Sequence, residues 1–264
     1  MKNLTNLLII TLCLIVAYVF FYMVLGADAN FTDPKTGVVD FHNPQNAMGM
    51  VFTGGPLVGL LIACVLLAIT YAVERWLSIS KAKGKASMDV FAKEVVKLVE
   101  GNKLGDAVKA CENQRGSLAN VLREAILRFQ HVENDSSMNV EQRLGEVQRI
   151  IDENMNLETP LLEKNLVILS TVASISTMIG LLGTTVGMIR AFAALGAGGT
   201  VSAQQLSIGI SEALYNTAGG LLAAIISIVA YNMFTTMVDN FTYQMDEAIL
   251  SLNETFSIRL GSKA

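Results

Sequence analysis

The 42 charged residues of this 264-residue chain, 19 basic and 23 acidic, are unevenly placed. One lies in 1–25, four in 26–50, none in 51–73, 29 in 74–165, two in 166–237 and six in 238–264. A water-soluble fold spreads charge over its whole surface, so stretches this bare must face something other than water. Charged residues are 16% of the chain, where about 25% is usual for a soluble domain, and mean hydropathy is +0.47. No stretch alternates apolar and polar residues in the manner of a strand. The chain reads as an all-α, polytopic helical membrane protein.

About 20 apolar residues cross the ~30 Å of a bilayer's hydrocarbon. Four segments meet this requirement: 1–25, 51–73, 166–195 and 206–238. Glu74, Arg75 and Trp76 close the second as an interfacial anchor. Lysine and arginine near short loops set orientation. Arg75, Lys81, Lys83 and Lys85 follow the second span, whereas the loop 26–50 sets Lys35 against Asp28, Asp33 and Asp40. The link 196–205 carries no charge and contains Gly196, Gly198, Gly199 and Ser202, a short turn between antiparallel helices. Residues 74–165 are therefore expected on the cytoplasmic side, 26–50 and 196–205 on the outer side, and both termini inside. Lys2, the following apolar run and Ala27-Asp28-Ala29 also suit a cleavable signal peptide. The run is longer than a usual signal core, so a retained span is expected.

Within 74–165 the spacing predicts a helix over 88–100 with Met88, Val95 and Val99 on one face, and a short one around Asp106–Asn113. A third follows Gly116-Ser117, which read as a stop and an N-cap. Glu133–Ser137 reads as a loop. From Val140 a three-and-four pattern continues into the third span, predicting one near-continuous helix over 140–195 with a bend at Pro160. The region is expected to be helical extensions rather than an independent globular domain, and 239–264 a C-terminal cytoplasmic helix.

The last two spans carry the chemistry. Ser170, Ser174, Thr177 and Thr184 recur down one face of the third, where Gly180, Gly183 and Gly187 offer small-residue packing. The fourth brings Glu212, Asn216, Thr217, Gly219 and Gly220. Helix packing explains the glycines. For Thr184 and Thr217 packing and a polar conduit are both open. The charges of 166–237 are Arg190 and Glu212, both displaced toward the outer end, where they are expected to pair. If ions cross, a partner must bring the carboxylate.

Other function classes are excluded on residues. The net charge of −4 comes without a basic stripe, which argues against nucleic acid. Cys13, Cys64 and Cys111 have neither pairing nor zinc-ligand spacing, and His42 and His131 read as solvated loop residues. No nucleotide, hydrolase or metalloprotease motif is present. The chain is expected to be no enzyme and to need no cofactor, drawing any work from the membrane gradient.

Gly180-Leu-Leu-Gly-Thr-Thr-Val-Gly187 and Ile210-Ser-Glu-Ala-Leu-Tyr-Asn-Thr-Ala-Gly-Gly-Leu-Leu-Ala-Ala224 resemble the paired signatures of the MotA/TolQ/ExbB proton-channel family, nearest its ExbB and TolQ branch. Ala107-Val-Lys-Ala-Cys111 and Gly116-Ser-Leu-Ala resemble its cytoplasmic region. The resemblance implies a bacterial inner-membrane protein forming a pentameric ring, its third and fourth spans lining a central pore. That pore would hold the helices of an ExbD- or TolR-like single-span pair bearing a protonatable aspartate. Proton passage would then drive a motor energising outer-membrane transport through a TonB-like protein. By motif position Thr184 and Thr217 match pore threonines and Glu212 the acid; Ser170, Ser174, Thr177 and Asn216 extend the lining. The chain departs from the family in having Thr177 and Ile226 where prolines are frequent, and in its extra first span. Alternatives are a TolQ-like, gliding or flagellar stator subunit, or a passive membrane scaffold without ion flux.

Overall fold

A computed structural model describes residues 2–34, 36–41, 44–135, 137–196 and 203–261. The expectations for His42 and for the turn residues 197–202 lie outside them. The described residues form helices α1 (Lys2–Phe20), α2 (Ala47–Phe52), α3 (Pro56–Ala82), α4 (Met88–Glu100), α5 (Leu104–Gln114), α6 (Ser117–Val132), α7 (Val140–Glu163), α8 (Leu166–Gly196) and α9 (Ala203–Gly261), with a π-helical turn at Phe21–Leu25. Four stretches are long and apolar enough to cross a membrane, at Asn6–Leu25 and Pro56–Ala82 and within Val140–Ala193 and Leu206–Gly261. The chain divides into two compact units. The first takes residues up to Val73 together with Val167–Asn232, the second Glu74–Leu166 together with Met233 onward.

In the first unit the segment between α1 and α3 is ordered by Asn30, which is buried. Its amide nitrogen donates to the carbonyls of Val24 (2.7 Å) and Leu25 (2.9 Å), and its amide oxygen accepts from Asn46 at 2.9 Å. Asn46 in turn caps α2, accepting from the Gly49 amide at 2.9 Å. Phe21 and Phe52 stack beside this network with ring centroids 4.7 Å apart. Gly54 and Gly55 then turn the chain into Pro56, whose missing amide hydrogen suits the first position of α3.

In the second unit the stripes expected on α4 and α6 meet the end of α9 in a shared core. Phe129 and Phe256 stack at 4.0 Å, and Arg259 pairs with buried Glu133 at 2.6 Å. The amphipathic faces bury one another, and with the end of α9 they make up the second compact unit. Cys111 lies in this core, where burial pushes its thiol up to about 12. Three local readings change. His131 sits exposed in the last turn of α6 rather than in a loop, and Ser117 makes no capping bond there. The start of α7 is instead fixed by a capping box of Asn139 and Gln142. Finally, α9 runs unbroken from Ala203 to Gly261, there being neither Gly nor Pro between 221 and 260 to stop it.

The helix expected over 140–195 is two helices. Pro160 lies inside α7, and the break comes at Lys164 and Asn165, the latter at φ 65°. Arg75, 2% exposed, donates to the Leu162 carbonyl at 3.3 Å, supplying a cation to the open C-terminal turn of α7. Glu74 holds that guanidinium at 2.5 and 2.6 Å and accepts from the Asn165 amide at 3.2 Å. Arg75 is therefore a buried clamp, and of the expected interfacial anchor only Trp76 is exposed. Arg75→Ala should destabilise the chain by about 3 kcal/mol through the stranded partners. Asn165→Ala should cost about 1–2 kcal/mol in left-handed strain, and Asn165→Gly less. Thermal unfolding in detergent, followed by the neighbouring single tryptophan, measures all three.

Candidate functional site

Helices α8 and α9 pack along small residues. A side chain at Gly187 would meet the Gly209 carbonyl at 2.8 Å. One at Gly220 would meet the Ser176 carbonyl at 2.7 Å and the Gly180 Cα at 2.8 Å. A Cβ at Gly183 would collide with the side chain of Asn216. Gly219 is turned away from this seam, toward Leu61 of α3. Such approach lets short hydroxyls reach across: Thr184 Oγ1 and Thr217 Oγ1 are hydrogen-bonded to each other. Thr184 also donates to the Gly180 carbonyl at 3.1 Å, so the consistent assignment makes Thr217 the donor of the pair. Both threonines are half-buried.

The other hydroxyls of the stripe serve their own helix. Ser174 is exposed and donates to Ser170 at 3.2 Å, while half-buried Thr177 donates to Ala173 at 3.1 Å. Ser170 is half-buried on the same face. Asn216 does not join them. It is 0% exposed and donates to the carbonyls of Gly54 (2.7 Å) and Glu212 (2.9 Å). Fully buried with its nitrogen on the Gly54 carbonyl, Asn216 does not stand on the half-exposed hydroxyl face with Thr217. Its placement in the lining is corrected on that ground.

Arg190 donates to Glu212 at 2.5 Å, and the two differ in exposure: 56% for the Arg190 side chain, 7% for that of Glu212. What covers Glu212 includes Gly55, whose φ is +78° and where a Cβ would sit 2.8 Å from Glu212 Oε1. The sequence reading missed Gly54 and Gly55, because a glycine pair before a proline carries no period and signals only a turn. With Glu212, the one acid of residues 166–237, already paired, α8 and the facing part of α9 offer hydroxyls that can accept or relay a proton and no free carboxyl at their level. The swap Arg190→Glu with Glu212→Arg should retain more folded protein and activity than either single change, which would bury like charges. Equal loss in the double variant would remove the case for the pair.

A family model described as the MotA/TolQ/ExbB proton channel family matches residues 114–247, half of the chain. Over 189 residues, 70% of this chain and 82% of the relative, the chain is 29% identical to the biopolymer transport protein ExbB-like 3 of Synechocystis sp.. It is 45% identical over 85 residues to the Tol-Pal system protein TolQ of Haemophilus influenzae, covering 32% of this chain and 37% of that one. To the biopolymer transport protein ExbB of Aquifex aeolicus it is 40% identical over 77 residues, 29% of this chain and 52% of the relative.

Proposed function

This chain belongs to the MotA/TolQ/ExbB proton channel family, and from that premise we infer that it is the channel-wall subunit of a motor driven by the proton gradient. It works in a bacterial inner membrane, with both termini and residues 74–165 cytoplasmic and 26–50 and 196–205 periplasmic. Several copies, in number a pentamer by family resemblance, form a ring whose hydroxyl faces line the pore. An ExbD-like single-span pair inside the ring brings the protonatable aspartate, and a TonB-like protein carries the force to outer-membrane transport.

The observation that carries this reading is the bonded pair Thr184–Thr217 in a stretch, 166–237, whose two charges, Arg190 and Glu212, satisfy each other. Such a wall can solvate and pass a proton held by a partner while holding no charge at that depth itself. The 45% identity to a TolQ over 85 residues supports a second reading, a Tol-type envelope motor. A deletion strain separates the two. Loss of gradient-dependent uptake of scarce nutrients with normal division fits the first, and chained cells with a leaky envelope fit the second. Neither phenotype would mean that the chain drives no envelope process of this kind.

A further inference from the structure

Asn216 is fully buried in the first unit, yet its amide oxygen has no hydrogen-bond partner among the described residues. Flipping the amide does not cure this, because the nitrogen faces two carbonyl acceptors, Gly54 at 2.7 Å and Glu212 at 2.9 Å. The space at Gly183 would take an apolar side chain with no stranded acceptor. What the Asn216 donor grips is the turn before α3, and the same turn lays Gly55 against the Glu212 carboxylate.

Building on the proton-pathway reading above, we propose that Asn216 is a positioning residue for Glu212. Through the Gly54 carbonyl it holds the Gly54–Gly55 turn over the acid, so that water reaches the pair from the Arg190 side alone. The two exposures fit this arrangement, 7% for the Glu212 side chain and 56% for Arg190. Releasing the latch lets the turn lift and opens Glu212 to proton exchange from a second side. Glycine at 55 is required twice over, by its positive φ and by the approach to Glu212 Oε1.

The test uses the full chain in lipid nanodiscs. Asn216→Leu keeps the branching at Cγ and removes both donors, while Gly55→Ala forces the turn off the acid from its other side. Three readouts are followed, the first two being amide hydrogen exchange of residues 51–58 and coupling of Glu212 to glycine ethyl ester by a water-soluble carbodiimide. Both should rise in each variant, about tenfold in Asn216→Leu, the factor to which the loss of the one bond to the Gly54 carbonyl corresponds. The carboxylate stretching band of Glu212, identified by its loss in Glu212→Gln, should move toward that of a hydrated glutamate. Ser176→Ala, which removes a buried hydroxyl bonded to its own helix at the Val172 carbonyl, should move none of these. If Asn216→Leu does not fold, Asn216→Ala gives the same comparison. Exchange, coupling and band position unchanged from wild type would overturn the latch. None of these readouts needs ion flux, so failure of the proton-pathway reading would show separately, as absent partner-dependent flux in wild type.

Discussion

Thr217→Val is expected to abolish proton flux through the assembled channel while leaving the chain folded. Valine has nearly the shape of threonine, so the close α8–α9 seam survives. The hydroxyl lost is the donor to Thr184, whose own proton is committed to the Gly180 carbonyl. The wall then offers an incoming carboxylic acid one hydroxyl in place of a linked pair, in a medium where an unsatisfied polar group is costly. A relay group of this kind contributes on the order of 10²–10⁴ in rate. Thr184→Val should act likewise, and Thr217→Ser should retain most of the flux. Normal flux or normal gradient-dependent growth with Thr217→Val would remove the pore role from that hydroxyl.

Gly220→Val should have the largest effect on stability. Its Cβ would fall within 2.8 Å of two backbone atoms, the Ser176 carbonyl oxygen and the Gly180 Cα, neither of which can rotate aside as a side chain would. Overpacking against side chains costs about 1–3 kcal/mol, and against a facing helix backbone the helices must separate along their length. The Thr184–Thr217 bond would be lost with them, so little folded chain should survive extraction in mild detergent. Gly219→Ala is the internal contrast. There the nearest atom is the flexible Leu61 Cδ1 at 3.2 Å, and the loss should stay below about 1 kcal/mol. Similar melting temperatures for the two variants would refute the backbone-contact account of the seam.

The membrane class was legible because a charge gap such as 51–73 admits no other solvent. The approach of α8 to α9 was legible because glycines at 180, 183 and 187 recur at helical spacing. Long-range polar contacts leave no such period. Nothing near Arg75 in sequence announces the Leu162 carbonyl, and nothing near Asn216 announces Gly54, 162 residues away. The break at Asn165 was missed for a related reason: proline is the louder local signal, and Pro160 was given the bend. Asn216 was placed in the lining because polarity along a span does not tell a buried amide from one facing a pore. Which stripe packs on which was not legible in the second unit, because Phe129 and Phe256 are 127 positions apart and meet only in the fold.

The central claim is that this chain supplies the wall of a proton path and a partner supplies the carboxylate. It is tested most directly by proton uptake into liposomes under an imposed gradient, followed with a trapped pH-sensitive dye. Three preparations are compared: this chain alone, the chain with its single-span partner, and the chain with that partner's intramembrane aspartate changed to asparagine. The account predicts flux in the second and background in the first and third. Flux from the chain alone, or undiminished flux with the asparagine partner, would contradict it.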